Sequence, residues 1–148
     1  MFMRKAGTTP MEASRKYEMV QSGKTANGCP IFLEPSEMAA NDKYRDADPY
    51  TVRQNLQGEF HQRQIRCTVA LVALARSKLP PALWILDLGC GEGHITQAIY
   101  EASSGASVCG LDYSVSCINY ASQHFPNISF AGGNAYRTPY ASDYFDMK

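Results

Sequence analysis

"WILDLGCGEGHI", Trp84 to Ile95, is the stretch on which the fold turns. An apolar run ends at Asp87 and Leu88, and glycines then occupy positions 89, 91 and 93. An apolar segment without polar alternation reads as a strand buried on both faces. The next segment, "EGHITQAIYEA", spaces Ile95, Ala98, Ile99 and Ala102 as one face of a helix. Bare backbone between a strand and a helix permits positive φ, and it presents main-chain N–H groups to a ligand. The spacing narrows the ligand. Dinucleotide sites use G-x-G-x-x-G. Here the order is G-x-G-x-G, one residue shorter, and Glu92 adds negative charge near the helix entrance, where a pyrophosphate would sit. Both features point away from phosphate.

Downstream the alternation continues. "ASVCGLD" reads as a second strand and "SVSCINYASQHF" as a second helix, with Ser114 or Ser116 as its cap and Pro126 after its end. "NISFAGG" reads as a third strand, "NAYRTPYASD" as a loop, and "YFDMK" as the start of a fourth strand. Strands separated by single helices imply parallel pairing and an α/β, doubly wound, mostly parallel sheet. Such sheets usually have five or more strands, whereas Lys148 falls inside the fourth here. The expectation is that the carboxy-terminal half of the domain is missing. An exposed sheet edge that favours self-association follows from this.

Upstream, residues 49–81 are expected to form a helical cap. Phe60, Ile65, Val69, Val72 and Leu79, with Leu71 and Leu74 beside them, recur near the helical period, and Pro80-Pro81 ends the pattern. Residues 1–48 are expected to be irregular and mobile, because Gly23, Gly28, Pro30 and Pro35 punctuate them; "SEMAAND" suggests one helical turn started by Ser36. "GKT" at Gly23 to Thr25 is not a phosphate loop, since Glu18 stands where its first glycine belongs. The third unit is 82–148.

Composition removes several classes. The chain has 148 residues, with 14 basic and 14 acidic side chains that cancel. That balance gives no electrostatic argument for nucleic acid or an anionic membrane. The five cysteines form no CxxC, and with His61, His94 and His124 they make no zinc-like spacing, so no metal site is expected. Unpaired thiols and the lack of an apolar leader suggest a cytoplasmic protein. "TVALVALA", Thr68 to Ala75, is too short to cross a bilayer.

"ILDLGCGEGHIT" resembles motif I of the class I S-adenosylmethionine-dependent methyltransferases, which have a Rossmann-like fold. Asp87 matches that family's acidic position, and Gly89, Gly91 and Gly93 match its glycines. Asp112 ends the second strand in "VCGLDYS". "FAGGNAYRTPYASDYFD" resembles the third region, with Asn134 where the family often has an acid. The resemblance covers about residues 82–148 and implies S-adenosyl-L-methionine as cofactor. By this resemblance the turn of Asp87, Gly89, Cys90, Gly91 and Gly93 carries the methionine part. Asp112 takes the ribose, and Tyr113 with Asn134 and Ala135 takes the adenine. The side-chain oxygen of Asn134 can still accept from an adenine amino group.

Methyl transfer from a sulfonium is a direct displacement, so no catalytic residue is assigned. Cys90 fits better as a small residue between glycines than as a nucleophile, and Tyr44, Tyr50 and Arg53 are candidates for a lid over the site. A small-molecule methyl acceptor is favoured by the neutral charge, with nucleic acid and protein acceptors left open. Two other readings stand beside this one: an NAD(P)-type Rossmann oxidoreductase domain, and a non-catalytic cofactor-binding fragment.

Overall fold

The computed structural model describes residues 16–41, 57–79 and 82–148. In chain order the elements are β1 (Gly23–Lys24), β2 (Pro30–Ile31), α1 (Pro35–Asn41) and α2 (Glu59–Arg76). Then come β3 (Trp84–Leu88), α3 (His94–Ala102), β4 (Ser107–Asp112), α4 (Val115–His124) and β5 (Ser129–Gly132). One sheet runs in the order β1-β2-β5-β4-β3. Only the β1–β2 pair is antiparallel. The mostly parallel α/β sheet is the one expected, and β3, α3, β4, α4 and β5 fall where the apolar pattern put them.

The pleat divides the core into two faces. Ile85 and Val108 pack on α2 and α3 through Val72 and Ile99, with Leu83 beside them. Phe130 and Cys90 pack on α4 through Ile118 and Ala121. On the opposite face Leu86, Cys109, Leu111 and Ala131 meet Phe32, Tyr140, Tyr144 and Phe145. Burying each large apolar side chain contributes about 1.5–3 kcal/mol. Because both faces of β4 are covered, Val108 to Leu111 are all buried, which is why the strand reads as a continuous apolar run.

The winding reverses at β3. From β3 through β4 to β5 the chain moves steadily to one side, with α3 and α4 on one face of the sheet. After β5 it returns to the other edge of β3. There Met147 bridges Ile85 in parallel, Leu86 N–H donates to the Met147 carbonyl (2.9 Å), and Trp84 N–H donates to Asp146 Oδ2 (2.8 Å). This is a single isolated bridge at the place where "YFDMK" is expected to start a fourth strand. Ligands of open α/β sheets sit beyond the strand ends at such a reversal.

Residues 16–41 correct the expectation of irregular chain. β2 adds to the free edge of β5: Ile31 pairs with Gly132, and Phe32 N–H donates to the Gly132 carbonyl (2.8 Å). Burial of the consecutive Ile31, Phe32 and Leu33 drives this. Tyr17 bridges Tyr140 and packs its ring, tilted, 4.7 Å from Phe32. The glycines and prolines punctuate a hairpin here, not a loose tail. Helix α1 begins at Pro35, the first-turn position proline favours. Tyr44, Tyr50 and Arg53 lie outside the described residues.

Helix α2 shows a narrower apolar face than its sequence suggested. Val72 is its buried residue, while Phe60, Leu71 and Leu74 are exposed. The helix meets the sheet along one line, beside α3. Its flank opens onto a groove of about 380 Å³ lined by Leu71, Val72, Ile85, Leu88, Ile99 and Met147. Among the described residues no helix is long and apolar enough to cross a membrane.

Candidate functional site

The site grows from the turn after β3. Gly89, Gly91 and Gly93 adopt φ of 75°, 52° and 84°, the left-handed region that side chains disfavour. Their reasons differ. A Cβ on Gly93 would lie 3.0–3.1 Å from Phe130, Ala121 and Phe125, so its bareness lets α3 start tight against α4 and β5. A Cβ on Gly89 or Gly91 would meet nothing within 4 Å. These two keep an open face clear.

The turn is pinned to the end of β4. Gly89 and Cys90 N–H groups both donate to the Leu111 carbonyl (2.8 and 3.2 Å). Gly91 N–H donates to Asp112 Oδ2 and Ser114 N–H to Asp112 Oδ1, each at 2.8 Å. Asp112 is thus fixed by main chain from both neighbouring turns, and lone pairs remain on each oxygen. Ser114 caps α4 by accepting from Cys117 N–H (3.3 Å).

Asp87 is braced from behind. Thr96, on the first turn of α3 and fully buried, donates its hydroxyl to Asp87 Oδ2 (2.7 Å). Burial raises the pKa of Asp87; the Thr96 bond lowers it, and the charge of Asp112 raises it. Two carboxylates that feel each other at one opening make a place suited to a cationic group.

Cys90 enters only through its main chain. Its side chain turns inward among Ile118, Ala121, Ile128 and Phe130. Gly110 makes room for it, since a Cβ there would fall 2.8 Å from Cys90 Sγ and 2.6 Å from Phe130. Burial, then Asp112 and Asp87, push the thiol well above its ordinary 9.0, so it stays neutral. Glu92 is buried as well. Its Oε2 lies 3.6 Å from His94 Nε2, and its Oε1 has no hydrogen-bond partner. Burial lowers the pKa of His94, and Glu92 opposes that shift. Among the described residues no group of three His, Cys, Asp or Glu side chains is arranged to hold a metal.

At the ends of β4 and β5 the corner is closed by α1. Asn134 Nδ2 donates to Glu37 Oε1 (2.8 Å), while its Oδ1 accepts from Tyr136 N–H (2.9 Å). Tyr113 donates its hydroxyl to the Glu37 carbonyl (3.3 Å). Arg137 reaches Glu34 (2.8 Å) and Glu37 (3.2 Å), and Val115 N–H donates to Asn41 Oδ1 (3.0 Å). Ala135 is exposed beside this cluster.

Asp87, the glycine turn, Asp112, Tyr113, Asn134 and Ala135 therefore line one rim, at the carboxyl ends of β3, β4 and β5. Thr96, Glu37 and Asn41 join them without having been singled out in the sequence. Thr96 carried a signal, lying one helical turn from Gly93 on the side facing the strand. Glu37 and Asn41 come from too far along the chain to have any.

Known proteins are similar to this chain. Residues 80–148 fit the family model of a methyltransferase domain. Trans-aconitate 2-methyltransferase of Delftia acidovorans is 37% identical over 65 residues, 44% of this chain and 24% of that protein. Malonyl-(acyl-carrier protein) O-methyltransferase of Hahella chejuensis is 29% identical over 97 residues, 66% of this chain and 34% of that protein. The chain thus spans between 24% and 34% of the length of these relatives. The magnesium protoporphyrin IX methyltransferase of Synechocystis, solved with its bound cofactor, superposes with a TM-score of 0.51 at 22% identity, covering 69% of this chain and 56% of that one; it shares the fold. The reversal of winding at β3 lies inside the segment that matches the methyltransferase-domain model, so residues 80–148 are similar in sequence to that family and share the fold of the cofactor-bound enzyme.

Proposed function

We propose that this chain binds S-adenosyl-L-methionine along the rim from Gly89 to Ala135 and directs its methyl group to a small-molecule acceptor in the cytoplasm. The observation that carries the reading is the pairing of an open glycine turn with Asp112, held by Gly91 and Ser114. The residues fit the cofactor: a Cβ at Gly89 or Gly91 would fill the space in which a ligand can approach main-chain N–H groups.

When bound, the cofactor supplies a methyl group on positively charged sulfur, ready for displacement. Asp87 and Asp112 give the opening a negative potential that favours that cation. Asp112 has lone pairs left for the ribose hydroxyls. Tyr113, Asn134 and Ala135 stand where the adenine would lie. The chain's contribution to transfer is alignment and exclusion of water, which need no acid–base residue. The trans-aconitate and malonyl relatives support a small acceptor. Five free cysteines support a reducing compartment.

Titration calorimetry of the 148-residue chain with S-adenosylmethionine, S-adenosylhomocysteine and NAD tests this. Binding of the sulfur ligands without competition from NAD is expected. Binding of NAD alone would replace this reading with the oxidoreductase one. Binding without methyl transfer to any supplied acceptor would leave a non-catalytic cofactor-binding unit.

A further inference from the structure

We infer that Glu37, from α1, supplies the adenine-amino acceptor that position 134 lacks, so that α1 reads the 6-position of the purine. The inference rests on the cofactor reading above and names a specificity-determining residue within it.

Position 134 carries an amide where the resemblance leads one to expect a carboxylate. Its oxygen faces its own turn and accepts from Tyr136 N–H (2.9 Å). Its NH₂ points at Glu37 Oε1 (2.8 Å). An NH₂ group cannot accept, so it cannot meet the amino group of an adenine. The negative charge at this corner belongs to Glu37.

Glu37 is well placed for the task. It touches both Tyr113 and Asn134, the residues expected on either side of the adenine. Its Oε2 is already taken by Glu34 N–H (2.7 Å) and Arg137 (3.2 Å). Its Oε1 accepts from Asn134 and so keeps a lone pair to spare. Asn41, one turn further along α1, accepts from Val115 N–H and fixes the helix to the start of α4. The bonds from Asn134 and from Glu34, in that order, hold the Glu37 carboxyl below its ordinary range, so it is an acceptor at neutral pH.

The competing description is purely structural. Glu37 is the third residue of α1 and bonds the N–H of Glu34 just before it, which is half of a capping box. In that case Glu37 would only hold the helix start, and its loss would weaken any ligand without regard to its purine.

The test compares S-adenosylhomocysteine with its 6-oxo analogue, in which the amino donor is replaced by an acceptor. The unsubstituted chain should favour the amino form by roughly tenfold to a hundredfold, the worth of one hydrogen bond to a charged group. Glu37→Gln keeps the size and the capping bond, yet offers either an oxygen or an NH₂, so the ratio should fall towards one. Arg137→Ala keeps the carboxylate and loosens its support; it should weaken both ligands alike and preserve the preference. An equal loss for both ligands in Glu37→Gln would overturn the assignment in favour of capping alone. So would equal binding of both to the unsubstituted chain. If neither ligand binds the unsubstituted chain, the cofactor reading fails first, and this one with it.

Discussion

Asp112 receives the N–H of Gly91 on one carboxylate oxygen and the N–H of Ser114 on the other, both at 2.8 Å. One side chain therefore sets the turn after β3 against the turn after β4, and the open rim of the site is the seam between them. Bracing these turns is one job of that carboxylate; the ribose contact proposed for it is a second, and the two can be separated by measurement.

Asp112→Ala is expected to weaken S-adenosylhomocysteine by about 1.5–3 kcal/mol, the value of a hydrogen bond to a charged group. It should also lower the unfolding free energy, because two main-chain N–H groups lose their acceptor. Calorimetry at a temperature where the variant is folded by circular dichroism reads the first effect; urea titration reads the second. Unchanged affinity in a destabilised protein would leave Asp112 as a brace and remove its ribose role.

The glycines of the turn should differ in their tolerance of a methyl group. Gly89→Ala meets only the cost of left-handed backbone, about 1–2 kcal/mol, since nothing lies near its Cβ. Gly93→Ala carries that cost and also presses on Phe130, Ala121 and Phe125 at 3.0–3.1 Å, which adds overpacking of about 1–3 kcal/mol. Urea unfolding should rank Gly93→Ala as the less stable of the two. For ligand affinity the order should reverse, because Gly89 faces the open rim and Gly93 faces the core.

Much of this arrangement is legible in the sequence. Continuous apolar strands, a glycine turn and a strand-end acid are local features, and they give β3 to β5 and the rim from Asp87 to Asp112. The amino-terminal segment is not. Ile31, Phe32 and Leu33 are too few to show a period, and their partner, the edge of β5, lies about a hundred residues away. Glu37 is invisible for the same reason: its contact with Asn134 is created by strand order. The exposed side of α2 is not legible because apolar residues at helical spacing show a stripe without showing how much of it is covered.

Cys90 should resist alkylation. Its thiol is buried and held well above its ordinary pKa of 9.0, first by burial and then by Asp112 and Asp87. Cys67, by contrast, is exposed on α2. Brief treatment of the native chain with iodoacetamide at neutral pH, followed by peptide mass analysis, should mark Cys67 and spare Cys90. Comparable labelling of both would mean that the turn opens far more often than its bonds to Leu111 imply.

Asp87 should leave a signature in the pH dependence of stability. Its folded pKa is raised above the ordinary 3.8 by burial, with Thr96 opposing and Asp112 adding to the shift. A folded state that holds the proton more tightly is favoured in acid. The contribution is fully present below 3.8 and is lost as pH rises through the higher folded value. Glu37 acts with the opposite sign: its folded pKa lies below 4.5, so its contribution is present above 4.5 and lost as pH falls through that lower value. Subtracting an Asp87→Asn series from the unsubstituted one isolates the first effect. The difference in unfolding free energy should move against the unsubstituted chain as pH climbs from 3.8, then level off above the raised folded pKa. Thr96→Val removes the hydroxyl that favours the charged form. It should extend that window upward and cost about 1.5–3 kcal/mol at pH values above the folded pKa, where the ionised carboxylate has lost its donor. A flat difference across the acidic range would show that Asp87 is as well solvated in the fold as in the unfolded chain, and the negative rim proposed to favour a sulfonium would lose one of its two charges as a perturbed, site-forming group.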